Sequence, residues 1–419
     1  MFLPYAEWLA VQDRFDEALE AFRKAGRPEE SRKMMEELTL NAVREGRFKD
    51  AAYYYFLLGT EVLKSTTFTN NVKENGRHLK IYSDYMTKAD WYYGYQHIHT
   101  FCTDPFTSLQ PEMLFQVSRY LINSLSQSDP PNGISLVNIL YTLAKQSKVL
   151  GAFKLARFTY DRLQQLKVPE SWEDNIDLDM MTIQAKPVRD NPELAPVCYR
   201  CGSTNPLLNP FSNKFTMGDR CTNCGHPFIR SFVNFDILPL VEFFPESDVS
   251  DVKALEMLKK RDGGGGGGRS KNREDQWDED KRDDAEVMTF GGNDDEDNMG
   301  GGGGMGMGMG GGRGGGDEDP LNRAINITLE NQDGAQAYEP VVVDGRCLLK
   351  MKREEVFCCK PIIAGMRMRF FKSMIPEIAV AVSQPCHRFF NEEDFEFVYL
   401  RDGVCPVSRL KDVGDYGSL

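Results

Sequence analysis

The residues best suited to chemistry in this chain are two cysteine pairs, Cys198-Tyr-Arg-Cys201 and Cys221-Thr-Asn-Cys224, spaced C-x2-C-x19-C-x2-C. That spacing falls in the range of structural zinc sites, where four thiolates complete a tetrahedral shell and leave no open position for water. Such a site holds structure and catalyses nothing. Gly202 and Gly225 follow the second cysteine of each pair. Glycine takes the left-handed conformation and lets backbone N–H groups turn toward the sulfurs, which spreads their negative charge. A redox dithiol, an iron–sulfur cluster and four unrelated core thiols are the competing readings. His226, two residues after Cys224, is not needed as a ligand and reads as a surface residue or one standing behind the ligands.

A second outline lies near the C-terminus: Ser383-Gln-Pro-Cys386 and Cys405-Pro-Val-Ser408, with 18 residues between the two cysteines. One sulfur of each pair is replaced by a hydroxyl, and serine is a poor zinc ligand. Cys386 and Cys405, with His387, Cys358 or Cys359 as further candidates, would make only a weak, degenerate site. The expectation is one structural zinc, with a second disfavoured.

The elements that must position these cysteines fall into four segments. The fold class is mainly α: a helical solenoid of tetratricopeptide type over residues 1–186, a zinc-ribbon module over 187–261, a disordered linker over 262–319 and a small β-rich domain over 320–419. In the first segment Phe15-x2-Ala18-x3-Phe22, Phe48-x2-Ala51-x3-Tyr55 and Phe153-x2-Ala156-x3-Tyr160 share one template. The first two phenylalanines are 33 residues apart and the third follows after 105, three steps of 35; that period belongs to tetratricopeptide hairpins, in which a small residue lets two helices approach. Pro4, Pro28, Pro111 and Pro130-Pro131 fall at hairpin starts, where a missing N–H costs little. His97 and His99 stand two apart in an aromatic run, Trp91-Tyr-Tyr-Gly-Tyr95; residues at that spacing do not share a helix face, so they read as packing between repeats. The first helix carries no polar cap, so the sequence reads as the back portion of a longer array with Met1 at an arbitrary boundary.

Prolines punctuate residues 187–210, and short aromatic strands around Phe215 and Pro227 to Phe235 fit a ribbon. A strand near 237–244 and a short helix over 249–260 follow. Residues 262–319 hold 21 of the chain's 37 glycines, with 16 acidic and 6 basic side chains. Such composition cannot offset its ordering entropy by burial, and a flexible coil of this length spans about 40 Å. Its net charge of −10 accounts for most of the chain's −13, leaving the remainder near neutral. Beyond it, Ile325–Leu329, Tyr338–Val343, Cys347–Met351 and Phe395–Leu400 alternate as strands do.

No apolar run approaches the length needed to span a bilayer, and the N-terminus lacks a basic n-region. Paired thiols at metal spacing point to a reducing compartment. The chain has no P-loop, dinucleotide fingerprint, nucleophile elbow or HExxH, and enzymatic catalysis finds no support in it. A zinc-ribbon nucleic-acid-binding module is an alternative, but Arg200, Lys214, Arg220 and Arg230 are a thin set for phosphate contacts. A RING-like ubiquitin-ligase adaptor would need eight interleaved ligands.

Several long strings resemble one family closely: LPYAEWLAVQDRFDEALEAFRKAGR, FKDAAYYYFLLG, DPFTSLQPEMLFQVSRYL, LAKQSKVLGAFKLARFTYDRL, and VCYRCGSTNPLLNPF with CTNCGHPFI. The order of parts is similar to the intraflagellar transport protein 122 family, a core subunit of ciliary complex A, over residues 1–260 and 317–419. The resemblance implies a scaffold in retrograde intraflagellar transport and cilium assembly that helps bring membrane proteins into cilia. It implies neighbours that are propeller-plus-solenoid subunits, and indirect contact with dynein trains and membrane-cargo adaptors. Localisation to the cilium, basal body and cytoplasm follows from it. Family members carry two WD40 propellers ahead of the helical repeats. Their C-terminal ribbon has two complete CxxC pairs, and Ser383 and Ser408 stand where the outer cysteines would be; packing of Phe389, Phe390 and Phe397 would then hold that ribbon.

Overall fold

In the computed structural model, which describes residues 2–11, 14–65, 72–104, 106, 108–126, 129–209, 214–259, 319–332, 338–360 and 366–411, each repeat template opens a helix. Helices α1 (Phe2–Val11), α2 (Phe15–Lys24), α3 (Pro28–Arg44), α4 (Phe48–Ser65), α5 (Val72–Thr103), α6 (Pro111–Leu125), α7 (Leu136–Val149), α8 (Phe153–Gln164) and α9 (Glu170–Gln184) each pack on the next. The templates begin α2, α4 and α8, and Ala18, Ala51, Ala156, Phe22 and Tyr160 are buried. Pro28 and Pro111 open α3 and α6, as their missing N–H allows. The aromatic run of α5 is core: Tyr92 and Tyr95 are buried, and Phe48 meets Tyr95 edge-on at 4.8 Å. His97 lies edge-on to Phe235 and His99 edge-on to Phe48, so both serve packing. Burial without a partner anion lowers the pKa of His97 to about 4.

After the ribbon come β1 (Leu240–Pro245) and α10 (Asp251–Lys259), the strand and helix expected there. Beyond the glycine-rich segment, which lies outside the described residues, are α11 (Pro320–Asn331), β2 (Val341–Val343), α12 (Gly345–Lys350), β3 (Val356–Cys359), β4 (Arg369–Ser373), β5 (Val380–Ser383), β6 (Arg388–Asn391) and α13 (Glu392–Asp402).

Three segments expected as strands are helices, each for a local reason. Ile325–Leu329 lies in α11, where the Asp319 side chain accepts a hydrogen bond from the Leu321 N–H and Pro320 opens the first turn. Cys347–Met351 begins in α12, capped by Asp344 accepting from the Cys347 N–H. Phe395–Leu400 lies in α13, which starts at the Asn391 cap with Glu392, Glu393 and Asp394 in its first turn. Apolar alternation alone suggests strands in these segments, but the caps at their N-termini fix helices. In the helix Phe395 is buried, whereas Phe397 is 68% exposed and does not hold the ribbon; Phe389 and Phe390 are buried.

The main sheet has the order β2-β1-β4-β3. The strand β1, grouped by sequence with the ribbon, is an inner strand of this sheet: Phe243 pairs parallel with Val341, and Leu240 to Phe243 pair antiparallel with Ser373 to Phe370. Its run Leu-Val-Glu-Phe-Phe is the near-continuous apolar pattern of a strand covered on both faces. A single core joins Val241 and Phe243 with Leu258, Leu321, Ile325, Leu348 and Phe370, so residues on both sides of the linker complete one sheet. A protease site introduced between residues 262 and 318 and then cut is therefore expected to leave both fragments in one particle on size-exclusion chromatography. Separation at neutral pH without denaturant would contradict the sheet pairing.

The β5–β6 hairpin and α13 fold back onto the helices. Phe390, Phe395, Cys386 and Cys405 share a core with Phe56, Met86 and Ala89 of α4 and α5. Arg388 grips Asp90 of α5, its Nη2 lying 2.7 Å from both carboxylate oxygens and its Nε 3.1 Å from one, and Arg409 reaches Asp50 at 2.6 Å. No described helix is long and apolar enough to cross a membrane.

Candidate metal centre

Each cysteine pair forms a tight turn of the same build. The Gly202 N–H donates to the Cys198 carbonyl at 2.8 Å and the Cys198 N–H donates to the Ser203 carbonyl at 2.9 Å. In the second turn Gly225 donates to Cys221 at 3.0 Å and Cys221 donates to the His226 carbonyl at 2.8 Å. Both glycines are left-handed, with φ of 67° and 69°, the conformation the sequence reading assigned to them. The expected ribbon strands reduce to isolated bridges, Val197 with Thr204, Arg220 with Pro227 and Arg230 with Ile237. Phe215 instead meets Phe158 of α8 edge-on at 5.0 Å.

The turns bring Cys198, Cys201, Cys221 and Cys224 together, with all four sulfurs within 4.8 Å of one another. Cys198 and Cys224 Sγ are 3.6 Å apart, and Cys201 and Cys221 Sγ are 3.7 Å apart. A zinc–sulfur bond of about 2.3 Å in a tetrahedron requires sulfurs about 3.8 Å apart, close to the separation of these two pairs, so the four thiols fit that ion. The shared hydrogen bonds push the Cys198 thiol upward and the Cys221 thiol downward, the proton of one serving the other. A divalent cation would displace such protons. Cys198, Cys221 and Cys224 are buried and Cys201 is half-buried.

Residues that sequence reasoning did not place complete the site. The Ser203 hydroxyl lies 3.0 Å from Cys201 Sγ and 3.4 Å from Cys221 Sγ, and the Asn223 N–H donates to Cys221 Sγ at 3.4 Å. His226 is buried rather than on the surface; its ring meets Tyr338 edge-on at 5.7 Å, and burial lowers its pKa to about 4. From beyond the linker, Leu329 packs on the sulfurs and Gln332 Nε2 donates to the Cys224 carbonyl at 3.1 Å. Arg200 donates to the Glu339 carbonyl at 2.7 Å and sits over the Tyr338 ring. No local pattern could reveal these last contacts, because the residues that make them lie more than a hundred positions apart.

The ribbon is fastened to the helices by a third turn of the same kind that carries no cysteine. Phe235 N–H donates to the Ser231 carbonyl at 2.9 Å and takes the left-handed φ of 59°. Its ring is fully buried beneath α5, where a Cβ on Gly94 would stand 3.4 Å from Phe235 Cζ. Buried Arg230 binds Asp219 through Nε and Nη2 at 2.6 and 2.7 Å and donates to the Phe235 carbonyl at 2.6 Å. Arg200 and Arg230, two of the four basic residues weighed for phosphate contact, are therefore buried in internal bonds.

The degenerate pairs also form turns. The His387 backbone N–H donates to the Ser383 carbonyl at 2.8 Å and the Arg409 backbone N–H to the Cys405 carbonyl at 2.9 Å, with left-handed φ of 52° and 54° where the first ribbon has glycine. Ser383, Cys386, Cys405 and Ser408 are buried, and Ser383 Oγ lies 3.7 Å from Cys405 Sγ. Cys358 and Cys359 are instead committed to β3. Changing both Ser383 and Ser408 to cysteine is expected to add one zinc per chain, read by native mass spectrometry. An unchanged metal count would show that the hydroxyls do not occupy ligand positions.

Comparison with known proteins now bears on this arrangement. A family model described as "IFT122, TPR domain" matches residues 1–138, and one described as "IFT122, zinc ribbon domain" matches residues 191–241. The chain carries the tetratricopeptide and zinc-ribbon domains of the intraflagellar transport protein 122 family. It is 37% identical over 409 residues to the human intraflagellar transport protein 122 homolog, covering 98% of this chain and 30% of the human protein. The Danio rerio and Mus musculus homologs are 35% and 36% identical, again over 98% of this chain and over 31% and 32% of their own lengths. The chain thus spans about a third of the length of the curated relatives it matches.

Proposed function

We propose that this chain is a non-catalytic scaffold segment of intraflagellar transport complex A, in which Cys198, Cys201, Cys221 and Cys224 hold one structural zinc. The observation that carries the reading is the coincidence of that family's zinc-ribbon domain with a closed, four-sulfur cluster at tetrahedral spacing. A zinc bound there has no position for substrate and supplies folding energy to the ribbon. The chain's own residues do the remaining work: Phe235 and Arg230 fix the ribbon on α5 and α6, and Arg200 and Gln332 fix the post-linker chain on the ribbon. Stacked helices braced in this way offer long surfaces to other subunits.

Under this reading the partners are the propeller-plus-solenoid subunits of complex A, with dynein trains and membrane-cargo adaptors reached through them. The site of action is the cilium and its basal body, in support of retrograde transport and membrane-protein entry. The test is affinity purification of the tagged full-length protein from ciliated cells, with localisation by fluorescence. Recovery of complex A subunits and a ciliary signal support the reading. Recovery of RNA or charged ubiquitin-conjugating enzyme in their place would overturn it.

A further inference from the structure

The four sulfurs are not equally protected, and the asymmetry has a direction. Chain from beyond the linker reaches the second turn, where Gln332 donates to the Cys224 carbonyl, and Leu329 packs on the buried cysteines. Cys201 is the one ligand of the four that is not buried. It faces Ser203, whose hydroxyl stands within reach of both Cys201 and Cys221. A hydroxyl that donates to a thiolate withdraws charge from it and fixes its orientation, which lowers its tendency to leave the metal or to react. Since one hydroxyl carries one proton, it serves one sulfur at a time, and the shorter contact is to Cys201.

Resting on the metal-centre reading above, we infer that Cys201 is the ligand through which the ion enters and leaves, and that Ser203 sets the rate as a positioning residue. The Gln332 bond does not gate this route, because it is made to the Cys224 carbonyl and touches neither Cys201 nor Ser203. A Ser203→Ala change removes the donor while leaving both turns and all four cysteines in place. Ser203→Thr keeps the hydroxyl.

The experiment uses the full chain loaded with zinc and measures metal transfer to excess 4-(2-pyridylazo)resorcinol. The expected result is a rate several-fold faster for Ser203→Ala, near the parent rate for Ser203→Thr, and unchanged for Gln332→Ala. A second readout maps the first sulfur of the loaded chain to react with N-ethylmaleimide. The thiolate adds across the maleimide double bond, forming a C–S bond, and the resulting enolate takes a proton from water. Cys201 is expected to be modified before the other three and faster in Ser203→Ala. Equal transfer rates for the parent and Ser203→Ala overturn the inference while leaving the metal centre intact, as does a fast Gln332→Ala with a slow Ser203→Ala. A parent chain that retains no zinc after native purification overturns both the inference and the reading beneath it.

Discussion

Cys224→Ser is expected to abolish zinc retention and to unfold the ribbon without unfolding the helices. A structural zinc contributes on the order of 10 kcal/mol to a small module at neutral pH, more than the few short bridges of residues 196–237 can replace. Hydrogen exchange should therefore show loss of protection over the two cysteine turns, and over α11 and residues 338–340, which rest on them through Leu329, Gln332 and Tyr338. Helices α6 to α8 share a core built on Phe115, Leu121, Leu143 and Tyr160, to which the ribbon adds Leu207, Leu208 and Phe235 at its margin, and they should keep most of their protection. A Cys224→Ser chain with parent-like exchange over residues 196–230 would show that packing alone holds the ribbon. Chelation of the parent at neutral pH should reproduce the same pattern, because the thiols then take up protons in place of the ion.

The second large effect is expected at Asp90. This carboxylate faces Arg388 at the junction of α5 with β6, both side chains mostly buried, with the guanidinium also 4.9 Å from the centre of the Phe232 ring. Asp90→Ala leaves the arginine charge without its partner, and removing one member of a buried pair costs about 3–5 kcal/mol. Urea denaturation should show that loss as a lowered midpoint. Asp90→Ala combined with Arg388→Met should recover much of it, since no buried charge then remains. A double variant as unstable as the single one would mean that Arg388 acts through packing on Phe232 and not through its charge.

The same two sites separate what was legible in the chain from what was not. The four-cysteine cluster needed only local information: the cysteines sit at fixed short spacings, and the glycines after them mark the turns that aim the sulfurs inward. The helical repeats were equally plain, because a small residue and an aromatic at fixed offsets record how one helix packs on its neighbour. Where alternation of apolar residues competed with capping residues, as at Asp319, Asp344 and Asn391, the caps decided and the segments became helices.

Sequence by itself determined that this is a repeat solenoid ahead of a four-thiol ribbon, since both features are written in residue types a few positions apart. Tertiary structure alone decided that β1 belongs to a sheet completed across the linker, that Arg388 finds Asp90, and that α11 covers the cysteine cluster. Those contacts join residues 98 or more positions apart. They are fixed by which surfaces remain to be buried once the local elements exist, and no spacing in the chain encodes that outcome.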